Sequence, residues 1–137
     1  MTKHMTKHEI REAAFIILYQ MELTGQSSAE IAESTYEAFE MPSNKLVLDL
    51  ADKVWEKREE LDKIIGNYSP SRATSRISKV DLTILRIAVY ELAFEKEKVP
   101  PKVAINEAVE LTKAYAEKND RLFINGLLNS YYKESEK

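Results

Sequence analysis

Apolar positions recur along this chain at steps of three and four, the period of helices rather than strands. The densest stretch is Ser78–Glu95, SKVDLTILRIAVYELAFE. Leu82, Leu85, Val89 and Leu92 share one side, and Val80, Ile84, Ile87 and Ala88 widen that stripe until little of the circumference is polar. A helix apolar nearly all round is packed by neighbours on several sides, so this segment is expected at the centre of a bundle. A narrow polar seam interrupts it, made by Thr83, Arg86 and Tyr90 with Asp81 and Glu91 at its margins, and the seam is a first place to seek function.

The remaining elements follow from caps and breakers. Thr6 to Glu9 and Ser27 to Glu30 both read as capping boxes, in which a hydroxyl and a carboxylate each satisfy an orphan amide at a helix start. The first opens a helix buried through Ile10, Ala14, Ile17, Leu18 and Met21 and stopped by Gly25. The second opens a shorter helix ending near Met41-Pro42, whose Glu30, Glu33, Glu37 and Glu40 form a solvated face. From Ser43 a long helix is expected through Val47, Leu50, Val54, Leu61 and Ile65 to Gly66. Ser69 and Pro70 mark a new start, Ser71–Arg76 a short helical turn, and Ser78 with Asp81 the cap of the central helix. Pro101 opens a helix to about Lys118 that turns Ala104, Ile105, Ala108, Leu111 and Tyr115 inward. After Asn119-Asp120 a last helix, Leu122–Tyr132, is buried through Phe123, Ile124, Leu127 and Leu128, with Gly126 read as relief where two helices touch. The fold class is therefore all-α, a bundle of six or seven helices without strands or internal repeats.

Composition narrows the class of activity. With 137 residues, 44% hydrophobic and 31% charged, the chain suits one soluble domain with its own core. No cysteine is present, which removes disulfides, thiolate nucleophiles and thiolate metal sites. No apolar run approaches a membrane span and no signal peptide is evident, so a cytoplasmic location is expected. Isolated glycines form no phosphate loop, and the carboxylates occupy exposed helical positions rather than paired ones, so no enzyme is expected. His4 and His8 sit in a duplicated MTKH tetrapeptide, which explains them without a metal; neither metal nor cofactor is expected.

Charge changes the picture. The net value is −3, against binding of nucleic acid by bulk charge, yet the charges are segregated. Glu22–Glu60 holds ten acids against four bases, whereas Pro70–Arg86 sets Arg72, Arg76, Lys79 and Arg86 against Asp81 alone. Lys7 and Arg11 share a helix with Tyr19, and Arg121 lies beside Phe123, the mixture of cations and flat rings that single-stranded nucleic acid requires. From spacing alone Tyr19 and Phe123 are equally well core residues. Arg86 is read either as an internal ion pair with an acid such as Glu107 or Glu91, or as part of a functional seam.

Four segments carry a resemblance. AAFIILYQMELTG (Ala13–Gly25), LRIAVYEL (Leu85–Leu92), VAINEAVELTK (Val103–Lys113) and FINGLLN (Phe123–Asn129) resemble, in order, the signature of the NusB family of bacterial transcription antitermination factors. The resemblance implies two packed three-helix subdomains within one RNA-binding domain over residues 9–133, flanked by a flexible segment 1–8 and a tail 134–137. It also implies a non-enzymatic adaptor that binds boxA-type ribosomal RNA leader together with NusE, a small-subunit ribosomal protein, and assembles on RNA polymerase. Matched positions assign RNA contacts to Lys7, Arg11, Tyr19, Arg76, Lys79, Lys113, Arg121 and Phe123. NusE would meet the central helix and the two after it, with Asp81 as a partner contact. The family's arginine-rich opening is thin here, and Leu122 stands where a base commonly precedes the FVNG-like motif, which implies weak RNA affinity without NusE. The rival reading is a helical protein-interaction scaffold or homodimer without RNA binding; a methyltransferase fusion would need a further α/β domain and a cysteine.

Overall fold

The computed structural model describes residues 5–40, 43–69 and 72–137. Seven α-helices, one 3-10 turn and no strand occur among them. They fall into two compact units, one ending at Glu56 and the other beginning at Lys57. The first copy of MTKH, Met41-Pro42 and Pro70-Ser71 lie outside the described residues.

The first unit holds α1 (Lys7–Thr24), α2 (Ser28–Ala38) and α3 (Lys45–Glu56). Both capping boxes form as expected: the Glu9 amide donates to Thr6 Oγ1 at 3.1 Å and the Thr6 amide to Glu9 Oε1 at 2.8 Å. Ser27 and Glu30 repeat the exchange at the start of α2. Gly25 ends α1 in the left-handed region at φ 75°, where a side chain would be strained, and its N–H reaches Met21 O. α1 packs on α3 and α2. The core is Phe15, Ile17, Leu18 and Met21 of α1 with Ile31 and Ala32 of α2 and Val47, Ala51 and Val54 of α3. Ile10 and Leu50 are only half-buried. Gln20 of α1 also bonds Thr35 of α2 at 2.8 Å, and Ser28 of α2 bonds Asp52 of α3.

The second unit holds α4 (Arg58–Asn67), a 3-10 turn (Thr74–Arg76), α5 (Lys79–Phe94), α6 (Pro101–Tyr115) and α7 (Asp120–Ser135). The long helix expected from Ser43 to Gly66 is thus two, interrupted at Lys57, whose φ of −97° and ψ of 9° leave the helical region. The interruption falls within Glu56–Glu60, five charged residues with no apolar side chain to anchor the turn. Gly126 also differs from expectation. A Cβ there would meet nothing within 4 Å, so no helix presses on it; the crowded glycine is Gly66, where Thr74 Oγ1 would lie 3.1 Å from the added carbon. Tyr115, expected inward, is 39% exposed.

α5 is central to this unit, packing on α4, α6 and α7. Every residue from Asp81 to Leu92 is buried, polar seam included. The seam therefore does not face solvent, and each of its members needs a partner inside. Thr83 Oγ1 donates back to Lys79 O at 2.7 Å, and Tyr90 Oη donates to Glu95 Oε1 at 2.9 Å. Arg86 makes the internal pair anticipated for it, and its fork closes on Asp62 of α4: Nε to Oδ1 at 2.8 Å and Nη2 to Oδ2 at 2.7 Å. Such a bidentate pair repays the desolvation of a guanidinium only while both partners are present. Replacing Asp62 by Ala should therefore cost on the order of 3 kcal/mol in urea unfolding. The double variant Asp62→Leu with Arg86→Met should recover most of that loss; a double variant as unstable as the single would refute the pairing argument.

Candidate nucleic-acid interface

Each unit carries its own group of the residues singled out from the sequence. In the first, Lys7 and Arg11 lie one turn apart along α1 and Tyr19 about two turns further on. Lys7 is exposed, Arg11 is buried, and Tyr19 is half-buried and stacked on Phe15, their centroids 6.2 Å apart and planes 9° from parallel. Arg11 therefore spends its stem on the interior, and Lys7 with the rim of Tyr19 is what α1 offers to a ligand.

In the second unit Arg76 closes the 3-10 turn and Lys79 opens α5, and both are exposed. Lys113 is exposed near the end of α6, with Glu110 3.3 Å away on the same face. Arg121 and Phe123 lie in the first turn of α7 and are half-buried; Arg121 Nε is buried without a hydrogen-bond partner. Asp81, assigned to a partner surface, is fully buried at 0% exposure.

Two residues with no place in that assignment organise this group. Arg72 lies 4.3 Å above the centroid of the Phe123 ring, a cation–π arrangement, and its Nη1 is 3.6 Å from Asp120 Oδ1. Its backbone is fixed by Ser69: the Arg72 amide donates to Ser69 O at 3.4 Å, and Ser69 Oγ donates to Arg72 O at 2.6 Å. Asp120 in turn faces Asp81. As a carboxylate, Asp81 would have two buried oxygens with no hydrogen bond. Burial above all, then the neighbouring Asp120 carboxylate, raises its pKa from an ordinary 3.8 to about 7, against smaller opposing effects of Ser78 and Arg72. Protonated, Asp81 gains an O–H for which Asp120 is the acceptor.

Between α6 and α7 lies a cleft of about 430 Å³ lined by Lys102, Asn106, Arg121, Leu122 and Asn125 among others. Leu122 at its edge is 83% exposed, an unusually bare large side chain. Its surroundings are cationic and amide-bearing, with no acid in the lining. No helix among the described residues is long and apolar enough to cross a membrane.

The NusB family model matches residues 8–133, nearly the whole chain. The chain belongs to the NusB family. It is 40% identical over 131 residues to Transcription antitermination protein NusB of Acetivibrio thermocellus, spanning 94% of this chain and 90% of that relative. Identity to the protein of the same name in Syntrophus aciditrophicus is 39% over 124 residues, 89% of this chain and 76% of the relative. Among solved structures, T. maritima NusB superposes with a TM-score of 0.83 at 30% identity, covering 96% and 94% of the two chains. A chain from the crystal structure of antitermination factors NusB and NusE in complex with dsRNA superposes with a TM-score of 0.80 at 29% identity, covering 95% and 99%.

Within this NusB-family chain, the signal that could have found Arg72 was its place in the basic stretch Pro70–Arg86. Nothing in spacing paired it with Phe123 or Asp120, which lie far along the chain. The carboxyl pair has a thermodynamic signature of its own. Because the folded state holds the Asp81 proton more tightly than the unfolded chain, the stability it contributes is complete below about pH 4 and is lost as pH rises to about 7. At about 1.4 kcal/mol per pKa unit, ionising Asp81 in place costs a few kcal/mol. Asp81→Asn should therefore gain on the order of 2 kcal/mol over the parent between pH 4.5 and pH 8 in denaturant titrations. A difference that stays constant over this range would show that the buried carboxyl does not titrate as described.

Proposed function

We propose that this chain is a transcription antitermination factor of the NusB type that binds a boxA-type RNA leader together with NusE and joins an antitermination complex on RNA polymerase in the cytoplasm. Family membership over residues 8–133 carries the reading, supported by the likeness to a chain solved with NusE and dsRNA. It acts by binding and performs no reaction of its own.

On this reading the second unit meets RNA through Arg76, Lys79, Arg121 and Phe123, with Lys113 a further cation, and the first through Lys7 and the rim of Tyr19. Arg11, assigned to RNA by the family motif, is buried and makes no direct contact. We assign the RNA to the single-stranded form because Tyr19 and Phe123 are half-exposed rings, useful only where bases are splayed. In a duplex the bases stack on each other and such rings have nothing to receive. The cations are few and the chain as a whole carries a net charge of −3, so affinity should be modest, dependent on salt, and raised by a partner with its own RNA contacts. NusE is assigned to the face of α6 and α7 around the cleft, where Leu122 supplies an apolar anchor and Lys102 and the asparagines a polar rim.

Titration of a boxA-type RNA oligonucleotide, with and without NusE and at several salt concentrations, tests this directly. Lys79→Gln should lower the log–log salt slope by about 0.7, one phosphate contact on a single strand. Phe123→Leu should instead weaken binding by about 1–3 kcal/mol, the loss of one stacked base, and leave the slope unchanged. Salt-independent binding, or indifference to both substitutions, would refute the assigned face. In a second experiment Leu122→Ser, which removes the apolar anchor without placing a charge between Arg121 and Phe123, should weaken capture of NusE at least tenfold while RNA binding by the isolated chain changes little; undiminished capture would move NusE elsewhere.

A further inference from the structure

We propose that Arg72 and Phe123 form a proton-linked subsite for one nucleotide of single-stranded RNA, with Asp120 positioning Arg72 and Asp81 setting the charge of the cluster. The proposal rests on the RNA-binding reading above and adds to it a residue, a geometry and a control.

Arg72 suits the task because it is held without being saturated. Ser69 pins its backbone at both the amide and the carbonyl, and the Phe123 ring supports the guanidinium from one side. The contact with Asp120 at 3.6 Å is an electrostatic one, longer than a hydrogen bond. A guanidinium has five donors in a fixed fork, and this side chain is 37% exposed, so donors remain for a phosphate while the adjoining ring offers a stacking surface. A cation and an aromatic ring in contact are the two parts that a nucleotide of unpaired RNA engages.

Asp120 and Asp81 explain how the site is tuned. With Asp81 protonated, its O–H can donate to Asp120, and the positive charge of Arg72 balances the one negative charge of Asp120. With Asp81 ionised, two carboxylates stand behind one guanidinium and the cluster is negative, which disfavours an incoming phosphate. Among the described residues, the ionisable groups acting on Asp81 are Asp120 from α7 and Arg72 from the segment before the 3-10 turn. On α4, Asp62 is engaged by Arg86. Asp81 has no solvent exposure and two oxygens without hydrogen bonds, so its charge has no other outlet. A bound phosphate would favour the protonated form, and RNA binding should take up protons by linkage.

The test combines RNA affinity at pH 6 and pH 8, measured on the full chain with NusE present, with NMR of the free protein. The parent should bind a boxA-type RNA oligonucleotide about three- to tenfold more tightly at pH 6. Asp81→Asn should carry the tighter affinity to pH 8 and abolish the difference, which excludes His8 as its source. Arg72→Gln should weaken binding several-fold at pH 6 and flatten the profile. In the free protein, the ring resonances of Phe123 should titrate with the Asp81 carboxyl and cease to do so in Asp81→Asn. Binding that is retained but independent of pH, a pH dependence that survives in Asp81→Asn, or an Arg72→Gln variant with parental affinity would each overturn the subsite while leaving the RNA-binding reading intact. Absence of RNA binding at both pH values would overturn that reading and the subsite with it.

Discussion

The second unit depends on the complete burial of α5 from Asp81 to Leu92, and on the demand this makes of the polar groups the helix takes inside. Leu82, Ile84, Leu85, Ile87, Val89 and Leu92 are all at most 4% exposed. At roughly 2 kcal/mol for each such side chain, their burial is worth on the order of 10 kcal/mol before the entropy of ordering is charged against it. That margin lets the helix carry an arginine into the interior, but only with a partner of matched geometry. Asp62 provides it, tying α4 to α5 by a contact that has direction where the surrounding aliphatic packing has none. The ion pair thereby selects one register of α4 against α5, while the apolar contacts provide most of the free energy.

Around that centre, local chemistry sets the ends of the elements. Hydroxyl caps at Thr6, Ser27 and Ser78 start three helices, and Pro101 starts a fourth without needing an amide partner. Such ends leave the first-turn side chains in defined positions. Lys79 beside the cap of α5 benefits from this, whereas Arg121 and Phe123 open α7 behind Asn119, which makes no side-chain capping bond. In the second unit, most of the residues assigned to RNA thus sit at the starts of helices or in the turn before one, where the backbone is fixed and the side chains are not yet enclosed.

These boundaries were legible in the sequence because a cap, a proline or a left-handed glycine acts within four residues. The all-helical class and the core positions of α5 were legible for the same kind of reason, since the helical period is a local property. The failures share the opposite cause. The break at Lys57 depends on how two halves of an apparently continuous helix serve separate cores, which the uninterrupted spacing of Val54, Leu61 and Ile65 conceals. The openness at Gly126 depends on what stands opposite it. Asp62 escaped notice as the partner of Arg86 because its acidic neighbours on an apparently solvated helix look identical to it. Arg72 escaped because its significance comes wholly from Phe123 and Asp120. The residues matched to the family motif were legible as candidates, but not their exposure: Arg11 and Asp81 turned out to be buried.

Asp81 and Arg86 make an instructive contrast, since both are charged residue types on one helix and both are withdrawn from water. Burial depth does not separate them; the neighbours do. Arg86 meets a carboxylate in a two-bond fork, so ionisation and burial are compatible. Asp81 meets another carboxylate, so ionisation in place would leave two like charges and two orphaned oxygens, and the proton is the least costly remedy. A purely structural role for position 81 would be better served by an asparagine or an apolar residue, which would need no proton to be neutral. A carboxyl retained there makes the α7 end of the unit responsive to pH near neutrality, and Asp120 transmits that response to the arginine resting on Phe123.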